Sequence, residues 1–175
     1  SNLTVQNNII QNLAYTGITL FGSSYSAPET HGHVISNNKI QDLGTYDVSS
    51  SIDKWGLGIL LYNSQYTHVH DNCLSNVRVG IQTGNFQKAN TGTSTYQLIE
   101  DNTIQARSVG IFYNLQNFSP LTIKNNTITA LYNVDELGAS VRAWNGILAA
   151  SLGNNMGQST LQNNNVDAVG LTPAW

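Results

Sequence analysis

Several groups of residues in this chain have types and spacings suited to chemistry. Arg78 and Arg107 each stand in a short stretch between aliphatic positions. An arginine fork binds a carboxylate in bidentate fashion, or neutralises it while a base removes a proton. Lys54-Trp55 and Arg142-Ala143-Trp144 each place a cation beside an indole, with Asp53 and Tyr46 in the same stretch as Lys54. An indole stacks on the apolar face of a sugar while the cation holds an acidic group. Asp71 and Asp101 occupy matching places in two copies of one phrase. Paired carboxylates serve as general acid and nucleophile, or hold Ca²⁺. His70, Glu100 and Lys124 match in the same way, a row able to pass protons with Glu100 tuning its neighbours. His31 with His33, and His68 with His70, form His-x-His pairs, which put two rings on one face of a strand and suit Zn²⁺ or Cu²⁺.

Each group also has a structural reading. The arginines can be solvated or paired with Asp47 or Glu136, and a Trp before a strand can plug a loop against a core. Asp71 and Asp101 share their column with Asn7, Asn37, Asn125 and Asn163, so Asp there is a turn-compatible substitute for Asn. The His-Glu-Lys row reads as a cross-strand charge ladder. The two His pairs are out of register, since aligning Ile35 with Val69 sets His33 against Thr67. No metal site is therefore assigned, and no cofactor is expected; Ca²⁺ at Asp71 and Asp101 is the alternative.

The elements that must position these residues come from a repeat. One phrase recurs: aliphatic, any, Asn or Asp, Asn, any, aliphatic. It reads Val5-Gln6-Asn7-Asn8-Ile9-Ile10, and returns at Ile35–Ile40, Val69–Leu74, Ile99–Ile104, Ile123–Ile128 and Leu161–Val166. A second phrase, Gly then Ile or Leu, follows each, at Gly17, Gly58, Gly80, Gly110, Gly146 and Gly170. Asn tolerates the left-handed backbone region, so it turns the chain between two short strands. Stacked copies bring successive Asn side chains within about 4.8 Å, close enough for an amide ladder. Gly opens the next strand by permitting a sharp bend.

Three inward columns follow: Val5, Ile35, Val69, Ile99, Ile123 and Leu161; Ile10, Ile40, Leu74, Ile104, Ile128 and Val166; Ile18, Ile59, Ile81, Ile111, Ile147 and Leu171. Three residues beyond the second column stand Leu13, Leu43, Val77, Leu131 and Val169, a series that Arg107 breaks, so its side chain is expected to point outward. Cys73 falls in an outward column with Ile9, Lys39, Thr103, Thr127 and Asn165. No segment sustains a helical apolar stripe, and the leucine order of a leucine-rich repeat is absent. The expected fold is all-β, a right-handed parallel β-helix of six coils with an Asn ladder.

These phrases resemble the short repeats of the pectate-lyase-like β-helix superfamily, over nearly the whole chain. That superfamily includes lyases, epimerases, glycosidases and surface adhesins. The resemblance implies a fold and an extracellular, carbohydrate-facing setting, but no activity. No catalytic signature of a polygalacturonase, a pectate lyase or an alginate epimerase is present.

The repeat is interrupted unevenly. Asn72 to Gly80 and Asn102 to Gly110 are each eight positions, whereas Asn38 to Gly58 and Asn126 to Gly146 are each twenty. Long loops are expected at 21–32, 44–56, 84–95 and 132–145. The loops of coils two and five lie on one side of the stack, roughly 14 Å apart, with Arg78 and Arg107 between them. That is a groove with two walls and a floor, suited to an extended polysaccharide, including a uronate-bearing one.

Composition bounds the alternatives. Charged residues make up 10% of the chain, against roughly 25% in average globular proteins, and a polar but uncharged surface of this kind suits a cell-surface or extracellular location. The net charge of −3 supplies no field for a nucleic acid backbone, and no apolar run approaches the roughly 20 residues of a membrane span. Cys73 is the only cysteine, so no internal disulfide can form. Asn2, Asn117 and Asn125 head glycosylation triplets. No capping element is apparent at either end, which fits a single domain over 1–175 within a longer protein. Three functions remain: a polysaccharide-binding groove; a structural or adhesive surface protein whose coils stack end to end as a filament; and an enzyme on acidic polysaccharide with Arg78, Arg107, Asp71 and Asp101 as candidate catalytic residues.

Overall fold

The Asn phrase divides its work between two residues. In the computed structural model, the first of the pair takes a left-handed backbone in every coil: Asn7, Asn37, Asp71, Asp101, Asn125 and Asn163 have φ between 53° and 59°. The second Asn points into the stack. Asn8 Nδ2 donates to Asn38 Oδ1 at 2.8 Å, and the bond repeats through Asn72, Asn102, Asn126 and Asn164 at 2.9–3.0 Å. Each acceptor oxygen also takes the backbone N–H of the Asn one coil before, as Asn102 Oδ1 does from Asn72 at 3.0 Å. The middle rungs Asn38, Asn72, Asn102 and Asn126 are buried. A buried amide is tolerable only when its donors and acceptors are met, and here they are. The structure describes residues 2–21, 32–44, 56–62, 64, 66–84, 94–115, 118–131, 144–151 and 159–168.

On one side of this corner lies a parallel sheet of β1 (Thr4–Gln6), β4 (His33–Ser36), β7 (Thr67–His70), β9 (Ser94–Glu100), β11 (Phe118–Lys124) and β14 (Ser159–Gln162), in that order. On the other side run β2 (Ile9–Leu13), β5 (Lys39–Leu43), β8 (Cys73–Gly84), β10 (Thr103–Leu115), β12 (Thr127–Ala130) and β15 (Asn165–Asp167). The Gly-Ile phrases also form β3 (Thr16–Phe21), β6 (Leu57–Tyr62) and β13 (Asn145–Ser151): β3 pairs with β6, β6 with the distal half of β8, and β13 with the distal half of β10.

All the pairings are parallel, and the register is the one the repeat predicts. Val5, Ile35, Val69, Ile99, Ile123 and Leu161 lie over one another. So do Ile10, Ile40, Leu74, Ile104, Ile128 and Val166, and Ile18, Ile59, Ile81, Ile111 and Ile147; Leu171 and Val169 lie outside the described residues. The central members, such as Ile35, Ile104 and Ile111, are fully buried, and together they form one continuous core. The outward column through Cys73 is also as expected, with the thiol exposed.

Two expectations need correction. The Gly of the Gly-Ile phrase is not there to bend the chain, since none of the described ones, Gly17, Gly58, Gly80, Gly110 and Gly146, has a positive φ. It is there because neighbours press close: a Cβ on Gly17 would lie 2.7 Å from Gly58 O and 2.8 Å from Ile40 Cγ2, and one on Gly58 would lie 2.6 Å from Gly80 O. The series Leu13, Leu43, Val77 is continued by Ala106 and Ala130, one residue before Arg107 and Leu131. The reason is a second left-handed corner at Asn12, Asp42 and Asn76, with φ of 58°, 57° and 50°. Coil four has no such step, so its chain reaches the inward position one residue sooner, and Arg107 and Ser108 fill the gap before Val109 meets Val79.

Candidate functional site

The second corner is where the two long loops leave the stack. Gly44 and Gly56 bound the first, and Leu131 and Trp144 the second. The loop interiors, 45–55 and 132–143, with Tyr46, Asp53, Lys54, Trp55 and Arg142, lie outside the described residues, as do 22–31 and 85–93 of the other expected loops. The start of the first loop and both ends of the second are fastened to coil four.

Arg107 lies on this corner and reaches across two coils. Its Nη1 donates to Asn76 Oδ1 at 2.6 Å and to Asn76 O at 3.0 Å. Its Nη2 donates to Leu43 O at 2.6 Å and to Gly44 O at 3.1 Å. Asn76 Nδ2 in turn donates to Asp42 Oδ1 at 2.8 Å. The guanidinium thus satisfies the carbonyls at the root of the first loop, through charge-assisted bonds of the stronger kind. The root of the second loop meets the residue next to Arg107: Leu131 N and Trp144 Nε1 both donate to Ala106 O, at 2.8 and 3.0 Å. Trp144 packs against the main core and is only partly exposed. Arg78, on the corner of coil three, is partly exposed, and its N–H donates to Gly56 O at 2.9 Å.

Arg78, Arg107 and Trp144 are therefore brought to one corner. Two of them hold it together: the forked guanidinium bonds Asn76 Oδ1 and three backbone carbonyls, and the indole N–H bonds a fourth. Asp71 and Asp101 lie on the other corner, in their left-handed turn positions, both exposed.

The outward face of the six-stranded sheet carries the row His70, Glu100 and Lys124 in register. Its bonding differs from the register. Glu100 Oε1 bonds His68 Nε2 at 2.7 Å and Oε2 bonds Lys124 Nζ at 2.8 Å, while His70 Nδ1 turns to Asp71 Oδ2 at 2.7 Å. The rings of His68 and His70 stand 4.1 Å apart. The hydrogen bond from Lys124 holds the Glu100 carboxyl below its usual range; partial burial opposes this, and the His68 bond adds to it. Lys124 is raised by the same hydrogen bond. His33 aligns with Thr67, as the sequence predicts, and its Nδ1 accepts from Leu3 N at 3.3 Å.

Sequence reasoning missed the second corner and the part played by His68. Both left a signal. Ile10-Gln11-Asn12-Leu13, Ile40-Gln41-Asp42-Leu43 and Leu74-Ser75-Asn76-Val77 share one phrase, and His68 sits diagonal to Glu100 on the same sheet face, within reach of a long side chain.

A buried polar cluster accompanies the core near coil three. Gln97 Nε2 donates to Ser64 O at 2.8 Å, Thr67 Oγ1 to Ser64 Oγ at 3.2 Å, and Thr83 Oγ1 to Gln97 Oε1. Its side chains bond one another and the backbone, so it reads as a satisfied part of the scaffold. Among the described residues, no three or more His, Cys, Asp or Glu side chains converge on one point. Among the same residues, no helix is long and apolar enough to cross a membrane.

Residues 1–166 match the family model described as a right-handed beta helix region. No curated protein and no solved structure matches the chain.

Proposed function

The chain belongs to the right-handed β-helix family, and from that premise we propose that it is an extracellular module whose second corner binds an extended polysaccharide. One observation carries this reading. The roots of both long loops are pinned to adjacent residues of coil four, Arg107 and Ala106, with only the short corners of coils three and four between them. A rigid floor between two anchored loops is a preorganised site, and preorganisation lowers the ordering cost of binding a flexible chain. In this reading Arg78 is the cation for an acidic sugar, and the ligand is also bound by Trp55, Lys54, Arg142, Asp53 and Tyr46 of the two loops. Arg107 and Trp144 act by positioning.

Affinity electrophoresis through gels containing polygalacturonate or alginate tests the reading. Retardation that is reduced by Arg78→Ala and abolished by adding Trp55→Ala supports it; free migration in every acidic and neutral polysaccharide tried rejects it. A lyase, epimerase or hydrolase working at this corner would also release unsaturated or reducing ends from these polymers, or epimerise their residues.

A second reading, a structural or adhesive surface protein, is favoured by the direction of the amide ladder. Every described rung donates the same way along the stack, so copies joined head to tail would continue one ladder. Concentration-dependent filaments in electron micrographs would select it.

A further inference from the structure

On a different face of the stack, we propose that His68 and His70 form a chelate for a borderline divalent cation, Cu²⁺ or Zn²⁺, with the remaining coordination positions open. The inference does not rest on the polysaccharide reading.

The two residues are i and i+2 on β7, so both rings leave the same face of the sheet. Their centroids are 4.1 Å apart and their planes are tilted by 33°, so the two rings are immediate neighbours. Both side chains reach solvent.

The hydrogen bonds determine which nitrogen each ring has to offer. Carboxylates accept and do not donate. In its neutral form, the one that binds a metal, His68 therefore carries its proton on Nε2, bonded to Glu100 at 2.7 Å, and offers Nδ1. In the same form His70 carries its proton on Nδ1, bonded to Asp71 at 2.7 Å, and offers Nε2. A metal-binding imidazole is generally held in this way, its second nitrogen donating to a carboxylate that fixes the tautomer and raises the basicity of the ligating one. Here two adjacent rings are each so held. Lys124 sits on the far oxygen of Glu100 and fixes that carboxylate in turn.

Bonds of about 2.0–2.1 Å to each nitrogen place two neighbouring ligand nitrogens about 3 Å apart. Rings with centroids 4.1 Å apart are near enough for two nitrogens to take that spacing, and χ2, a broad torsion in histidine, is the rotation that would set it. Imidazole ligands suit Cu²⁺ and Zn²⁺ over Ca²⁺ or Mg²⁺. With two protein ligands, the other positions fall to water or to an oxygen ligand.

The test is a titration of the tag-free chain with CuCl₂ against glycine as competitor, followed by calorimetry and electron paramagnetic resonance. The expected result is a single high-affinity Cu²⁺ with two imidazole nitrogens in its hyperfine pattern. His68→Gln keeps an amide donor for Glu100 but has no imidazole lone pair. It and His70→Ala should each weaken binding at least tenfold. Glu100→Gln, which removes an orienting partner, should weaken it about tenfold while keeping the spectrum of two nitrogens. His33→Ala should change nothing. Thermal unfolding of each variant checks the fold. Full Cu²⁺ affinity in the His68→Gln/His70→Ala double variant, or failure of the unsubstituted chain to compete with glycine, overturns the proposal.

Discussion

The two corners of the coil are built from the same residue types and behave differently. At the first, a left-handed Asn or Asp followed by an inward Asn persists through all six coils, and every middle rung is buried and bonded. At the second, Asn12, Asp42 and Asn76 repeat the left-handed step for three coils, and then the pattern stops. From there on the side chain of Arg107 and the indole of Trp144 do the fastening. A corner closed by a ladder inside the core cannot accept an insertion without breaking the ladder. A corner fastened from outside can, and both long loops leave from it. The first corner is scaffold, and the second is where this fold can vary.

The sharpest way to break that comparison is to remove one rung. Asn102 has its Nδ2 on Val69 O, Glu100 O and Asn126 Oδ1, and its Oδ1 takes two bonds from Asn72. Asn102→Ala strands several buried partners at once, and leaving a buried polar group unmet costs about 1–3 kcal/mol. We expect a loss of roughly 3–4 kcal/mol in urea unfolding. A loss under about 1 kcal/mol would mean the ladder follows the stack rather than holding it. Arg107→Ala, at the second corner, should cost less, about 1–2 kcal/mol, because its guanidinium is partly solvated and water can replace it. Its effect should be local. Hydrogen exchange should quicken at Gly44, whose N–H donates to Leu13 O at 2.9 Å, and stay slow at Asn72 and Asn102. Equal acceleration at both corners would erase the distinction between them.

The first corner was legible in the sequence because its chemistry is periodic. Six copies of one phrase fixed three inward columns and the left-handed turns, and nearly every described strand pairing follows from them. The second corner was harder to read because its signal covers three coils and then changes form. Ala106 replaces an aliphatic residue one position early, so Arg107 looked like a break in the series rather than a brace. Spacing alone could bring Arg78, Arg107 and Trp144 to one side. It could not say that Arg107 and Trp144 brace the backbone of other coils, since that depends on how far a side chain reaches across coils. The His-Glu-Lys row shows the same limit: register put His70 beside Glu100, whereas rotamers gave the bond to His68.

That row supplies the smallest predicted effect, and it asks whether charges beside the first corner add to the ladder. Glu100 is lowered from its usual 4.5, chiefly by the bond from Lys124. A carboxyl with a depressed folded value stabilises the fold above its unfolded pKa, and that contribution fades as pH falls through the folded value. Lys124 is raised from 10.5 by the same bond, so its share is complete below pH 10.5 and is lost as pH rises past its folded value. Between these limits the pair contributes fully. Urea midpoints of the unsubstituted chain should therefore exceed those of Glu100→Gln at pH 7, and the difference should shrink as pH falls below about 4.5. A difference that stays constant from pH 7 down to pH 3 would assign the loss to shape and not to charge. In that case the row would be an ornament on a sheet face that the Asn ladder already holds.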